Sequence, residues 1–313
     1  MRITILGAGA MGSLFGGLLA EHGHDVELLD VNPNHIEQVR NHGLTVATEG
    51  RGSRVIRLPI SRPEAAASRP DWLILFTKTL HTQGAMEAVR HVLHDQVMVL
   101  TLQNGLGNAE RVARFLPMSR IAVGVTTVPA DMTGPGHVHS HGAGHNRMMM
   151  ADARPSEALK ALADALTQAG LPSTLDASVQ AAIWQKAAFN AALNTVCAVT
   201  CATVGQVGRQ PQARELAHAI ATEVLAVANA NGLEVDARGL HDTLDHALDH
   251  HLQHKPSMLQ DLLAGRPTEV DAINGEVLRV ARGLGIDAPR TQALDALTRL
   301  RQSLVLDSRQ VWP

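Results

Sequence analysis

"RITILGAGAMGSLFGGLLAEHGHDVELLD", residues 2 to 30, is the stretch from which the fold follows. A short β-branched run leads into a glycine turn and then into helical spacing. Gly23 stops the helix before alternation resumes in "DVELLD". The order is strand, tight turn, helix, strand. In "GAGAMG", Gly7 permits the sharp turn, Gly9 lets a pyrophosphate approach the backbone, and Gly12 lets the helix pack closely on the strand. The helix N-terminus then presents N–H donors to the phosphates. A lone G-x-G-x-x-G is weak, and a glycine turn that binds nothing is the alternative. Here the motif stands in the strand–turn–helix setting that a dinucleotide site requires. Gly7, Ala8, Gly9, Ala10, Met11 and Gly12 are therefore the expected cofactor-binding segment.

Working outward, further strands are predicted at 71–78 ("DWLILFTK"), 96–103 ("QVMVLTLQ") and 120–127 ("RIAVGVTT"), with a helix between 80 and 93. Strands alternating with helices predict a parallel sheet covered on both faces. The pattern changes at 131–151, where Gly134, Pro135, Gly136 and an alternating stretch predict an antiparallel hairpin on the sheet edge. A helix at 155–168 and a short strand near 172–175 close the domain. Beyond Asp176 the segments are helical, at 177–199, 211–231, 236–251 and 268–284. The expectation is an α/β protein: a Rossmann-type doubly wound sheet over 1–176 and an all-helical domain over 177–313.

A chain of 313 residues suits two domains, and 45% hydrophobic with 18% charged residues describes a globular protein. A net charge of -3 leaves no basic field for nucleic acid, and 2% aromatic residues with no Tyr leaves no stacking platform. Cys197 and Cys201 lie four apart on a predicted helix, a poor geometry for a disulfide, and two thiols make no zinc site. Both are expected as reduced core residues of a cytoplasmic protein. A strand starting at Arg2 leaves no room for a signal peptide, and Asn190, Asn194 and Gln206 interrupt the nearest approach to a membrane span. Neither membrane nor nucleic acid is expected as a partner. His137, His139 and His141, and the helical His246, His250 and His254, lack any H-E-x-x-H or Cys/His pairing, so no metal is expected. Oligomeric state is not written in the sequence; a homodimer is compatible with it.

Asp30 ends the second predicted strand, where a carboxylate accepts both adenosine ribose hydroxyls and repels a 2′-phosphate. Val31, Asn32, Pro33 and Asn34 include no cation, which favours NADH over NADPH; an ordinary turn acid is the other explanation. Lys78 and Asn104 fall at strand carboxyl ends, where ligands of open α/β sheets bind. In "IWQKAAFNAALNTV", 183–196, Lys186, Asn190 and Asn194 recur every four residues and share one helix face. A charge and two amides are costly to bury alone. They either hold a substrate, with Lys186 as proton donor, or form a hydrogen-bond network in which Lys186 snorkels to water. Segment 255–285 adds Ser257, Asp261, Glu269, Asp271 and Asn274, although Glu269 can also act as a helix-start acid after Pro267 and Thr268.

Taken in order, "GAGAMG", "TK" at 77–78, "QNG" at 103–105, "WQKAAFNAALN" at 184–194, "SMLQD" at 257–261 and "TEVDAINGEV" at 268–277 resemble the ketopantoate reductase (2-dehydropantoate 2-reductase) family. The resemblance runs over nearly the whole chain. It implies an N-terminal Rossmann domain, a helical C-terminal domain and an active site in the cleft between them. It also implies NADPH or NADH as cofactor, and a small 2-keto acid, 2-dehydropantoate, reduced to (R)-pantoate. Carried over by position, Lys186 is the general acid, Asn104 touches cofactor and substrate, and Lys78 lies near the cofactor. Asn190, Asn194 and Ser257 match substrate contacts, Glu269 a carboxylate at the cofactor, and Ala130 a backbone contact to it. The sequence departs from the pattern at Asp30 and Val31, where many members carry a basic residue, and at Val204 and His254, where an Asn can occur. With Asp30, the chain is also similar to NAD-dependent D-2-hydroxyacid dehydrogenases of the D-mandelate type. A non-catalytic NAD(H)-binding regulator is the reading from another class.

Overall fold

The computed structural model describes residues 1–67 and 69–310. The chain divides into two compact units, Met1–Gln103 with Asn108–Val179, and Asn104–Gly107 with the residues from Gln180 onward.

The strands of the first unit are β1 (Arg2–Leu6), β2 (Asp25–Leu29), β3 (Leu44–Thr48), β4 (Gly52–Ile56), β5 (Ile60–Ser61), β6 (Trp72–Leu75), β7 (Met98–Thr101), β8 (Ile121–Thr126), β9 (Asp131–Gly134), β10 (His137–Ser140), β11 (Asn146–Met150) and β12 (Ser173–Leu175). Its helices are α1 (Ala10–Glu21), α2 (Pro33–His42), α3 (Thr82–Ala88), α4 (Asn108–Val112) and α5 (Glu157–Gln168). The main sheet runs β12-β11-β8-β7-β6-β1-β2-β5. From β8 to β5 it is parallel, and β11 is antiparallel to β8. β6 and β8 are buried along their whole length, which is why they read as unbroken apolar runs. The chain winds outward from β1 to β2 on one side and to β6 on the other, so the winding reverses between β1 and β6.

The predicted hairpin forms, but not on the edge of this sheet. β9 and β10 pair antiparallel within a second, four-stranded sheet of order β4-β3-β10-β9, in which β10 runs parallel to β3. Strands β3, β4 and β5 lie outside the segments that the sequence pattern predicts as strands. Both sheets grip α1: a Cβ added at Gly16 would lie 2.5 Å from Leu28 Cδ2, and one at Gly17 would lie 2.8 Å from Val46 Cγ2. The glycine pair thus lets one helix nest between two layers. α3 is shorter than the predicted segment and is flanked by 3-10 turns at Thr79–His81 and Arg90–Val92.

The second unit is helical: α6 (Val179–Thr200), α7 (Val204–Arg209), α8 (Pro211–Ala230), α9 (Ala237–His250), α10 (Ser257–Leu263), α11 (Glu276–Leu284) and α12 (Pro289–Gln310). Side-chain caps satisfy orphan N–H groups at several starts: Thr203 and Gln206 form a capping box on α7, and Asp236 caps α9. Trp184, Ala187, Ala188 and Ala191 of α6 pack in one core with Ile220 and Val224 of α8 and Leu244 of α9. The predicted helix 268–284 is divided: a π-helical turn over Asp271–Gly275, with Gly275 N–H on Val270 O at 2.9 Å, runs into α11. Both cysteines are free. Cys197 is buried, and burial pushes its thiol up to about 12. Cys201, expected in the core, is exposed beyond the end of α6, with Arg301 Nη2 3.3 Å from its sulfur. No helix among the described residues is long and apolar enough to cross a membrane, and no group of three metal-binding side chains occurs among them.

Candidate active site

The glycine turn follows β1 at the point where the winding reverses. Gly7 has φ +96°, and a Cβ there would lie 2.6 Å from Thr77 N, so only glycine fits against the end of β6. A Cβ on Gly12 would lie 2.0 Å from Gly7 O, so helix and strand meet too closely for a side chain. Gly9 has nothing within 4 Å of its Cβ position, leaving the backbone open to a ligand. α1 begins with no side-chain cap and no acidic residue in its first turn. Open backbone, uncapped donors and absent negative charge fit a pyrophosphate.

Beneath the turn lies a network that the sequence did not reveal. Gly136 N–H donates to His35 Nδ1 at 3.0 Å, which places the proton of the neutral ring on Nε2. Nε2 is 3.4 Å from Ser13 Oγ, and Ser13 O–H donates to Ala8 O at 2.7 Å within the glycine turn. His35 is buried, and desolvation lowers its pKa against the opposing pull of Asp30.

Asp30 follows β2, and its Oδ1 accepts Asn32 N–H at 2.8 Å. No cation follows in the sequence, but the fold brings one: Arg62 Nη1 donates to Val31 O at 3.3 Å. Lys78 is half-buried before the 3-10 turn that follows β6. The preceding Thr77 is fastened by buried Gln103, whose Nε2 lies 2.7 Å from Thr77 O and 2.9 Å from Thr82 Oγ1. Gln103 belongs to the "QNG" motif, and only its burial reveals this positioning role. Ala130 packs at the margin of the first unit's core, and Ser140 Oγ donates to the neighbouring Pro129 O at 2.7 Å.

The second unit gathers three of the predicted residues. Lys186 is half-buried on α6, and its pKa falls from 10.5 to about 8. Desolvation is the main cause, opposed by the carboxylate of Glu269. Asn104 Nδ2 donates to Glu269 Oε2 at 3.5 Å. The segment carrying Asn104 is fixed by backbone: Leu106 N–H donates to Ala272 O at 2.8 Å, and Gly105, at φ +84°, comes so near that a Cβ would lie 2.5 Å from that oxygen. Asn190 is half-buried and Asn194 buried, one and two turns beyond Lys186, while Ser257 is exposed at the start of α10. Among the described residues no hydrogen bond ties these three to Lys186, Glu269 or Asn104. An ammonium poised to deprotonate, beside a carboxylate that favours its charged form, can stabilise a nascent alkoxide and then protonate it.

Residues 3–153 match the family described as "Ketopantoate reductase PanE/ApbA", and residues 178–302 match "Ketopantoate reductase PanE/ApbA C terminal". The 2-dehydropantoate 2-reductase of Streptococcus pyogenes serotype M3 is 32% identical over 306 residues, which covers 97% of this chain and 99% of that one. The chain belongs to the ketopantoate reductase family. As a member of the ketopantoate reductase family it is an NAD(P)H-dependent oxidoreductase, and its open glycine turn fits that cofactor. A ketopantoate reductase structure from Ralstonia eutropha JMP134 is similar at TM-score 0.90 and 30% identity, covering 97% of this chain and 99% of that one. D-mandelate dehydrogenase, solved with NADH and anilino(oxo)acetate, is similar at TM-score 0.92 and 30% identity over the same shares.

Proposed function

We propose that the protein is a 2-dehydropantoate 2-reductase in which Lys186 protonates the C2 oxygen as (R)-pantoate forms. The observation that carries this reading is Lys186 itself, a desolvated ammonium with a pKa of about 8 beside Glu269. When bound, the dihydronicotinamide supplies the hydride. Negative charge then grows on the ketone oxygen, and a positioned ammonium lowers the barrier before giving its proton. A pKa near 8 keeps Lys186 charged at neutral pH while making its proton easier to release than that of an ordinary lysine. Glu269 steadies the charge, Asn104 orients Glu269, and Asn190, Asn194 and Ser257 take the remaining substrate oxygens. Asp30 at the ribose favours NADH.

A second reading, an NAD-dependent D-2-hydroxyacid dehydrogenase, draws on Asp30 and on the likeness to D-mandelate dehydrogenase. A regulator that merely bound NAD(H) would need no proton donor. kcat/KM for 2-dehydropantoate, for its analogue lacking the terminal hydroxyl and for benzoylformate decides between these readings. A site that bonds the hydroxyl rejects the analogue without it, because a buried partner is left unpaired. Preference for benzoylformate or the hydroxyl-free analogue would replace the pantoate reading with the second, and no turnover of any keto acid would favour the regulator.

A further inference from the structure

Cofactor choice in a Rossmann-type site is made where the second strand ends: an acid there binds the ribose hydroxyls, and a nearby Arg accommodates a 2′-phosphate. By sequence the residues after Asp30 are Val, Asn, Pro and Asn, with no cation among them. The sheet supplies one from elsewhere. β5 lies parallel to β2 with Leu29 opposite Ser61, and Asp30 N–H donates to Ser61 O at 3.0 Å. Arg62 therefore leaves β5 level with Asp30, and its Nη1 reaches Val31 O at 3.3 Å. Its other neighbour is Glu64, with Nε 3.6 Å from Oε2 and side chains 56% and 62% exposed. Such an exposed pair is weak and easily exchanged for a better anion. On the acid's side, one oxygen of Asp30 already accepts Asn32 N–H at 2.8 Å.

We propose that Arg62 is the residue that receives the 2′-phosphate of NADPH, so that cofactor choice is a contest between Asp30 and Arg62 rather than the work of the acid alone. The planar guanidinium can engage a phosphate through two parallel N–H bonds. The inference rests on the reading of the protein as an NAD(P)H-dependent reductase. It concerns a residue outside the glycine motif, immediately after a strand that the sequence pattern did not mark.

Isothermal titration of the full chain with adenosine 2′,5′-bisphosphate and with 5′-AMP tests it without turnover. Arg62→Ala should weaken the bisphosphate by about tenfold, the scale of one charge-assisted hydrogen bond in an exposed setting, and leave 5′-AMP within about twofold. Arg62→Lys should keep part of the difference. NADPH should lose kcat/KM in the same proportion, with NADH unaffected. Equal losses for both nucleotides, or no loss for either, would overturn the role of Arg62 while leaving the reductase reading intact. A native protein that binds neither NADH nor either nucleotide would bring down both.

Discussion

Lys186→Met removes a desolvated ammonium while keeping most of the stem volume. The fall in pKa from 10.5 to about 8 means that the fold disfavours the charged form by about 3 kcal/mol at neutral pH, at 1.36 kcal/mol per unit. Because the folded-state value is depressed, the unfolded chain holds this proton between about pH 8 and 10.5 when the folded chain does not. Stability therefore rises with pH across that window, and below it the full penalty is present. Methionine escapes the penalty, but Glu269 loses its partner charge and keeps the Asn104 amide at 3.5 Å. The net expectation at pH 7 is a gain of about 1 to 3 kcal/mol, accompanied by a loss of kcat of about 10²- to 10⁴-fold. Urea unfolding followed by circular dichroism at pH 7 and at pH 10, with the slope checked for constancy, reads the gain and its disappearance at high pH. A destabilised variant at pH 7, or a difference that ignores pH, would refute the claim that the fold desolvates this ammonium. The expected result is a trade of stability for activity at one side chain.

With Lys186 donating the proton, kcat/KM for reduction should decline as pH rises through about 8, and Glu269→Gln should move that limb to lower pH, because the carboxylate raises the lysine's pKa. His35 is held neutral, so its stabilisation should be present above the unfolded pKa near 6.5 and be lost as pH falls through its lower folded value. Thermal melts between pH 7.5 and 5 should show that loss in the native protein and a flatter dependence in His35→Gln; equal slopes would count against it. Gly9→Ala should fold normally, since nothing lies within 4 Å, yet weaken NADH binding about tenfold in fluorescence titration. Gly12→Ala, whose Cβ would lie 2.0 Å from Gly7 O, should cost about 2 kcal/mol or more in urea unfolding. Similar melting of the two variants would contradict the separate roles assigned to these glycines.

What was legible in the sequence was local. β1, the glycine turn and α1 are contiguous, and the apolar runs of β6, β7 and β8 announce strands buried on both faces. The four-residue period of Lys186, Asn190 and Asn194 follows from helix geometry alone. The small sheet escaped notice because Thr45, Thr48, Ser53 and Arg54 dilute its apolar signal, and because β3 finds its parallel partner β10 far along the chain. The same distance hid where the hairpin would dock: its antiparallel pairing is written in Gly134 to Gly136, but the sheet that receives it is not. His35 under Ala8 and Arg62 beside Val31 are also contacts across strands and loops, which no spacing rule records. For Lys186 the position was readable and the lowered pKa was not, because desolvation depends on what packs around the side chain.

The nesting of α1 bears on how tightly a dinucleotide can be held. Gly16 presses toward Leu28 on one side and Gly17 toward Val46 on the other, so the helix has little room to tilt or slide. Its first N–H groups therefore point in fixed directions before any phosphate arrives. Ordering a loop on binding consumes part of the interaction free energy, and a helix already clamped by two sheets avoids that loss. The small sheet, which carries none of the residues assigned to chemistry, thus acts on affinity by keeping the entropy of the phosphate-binding end low in the free protein.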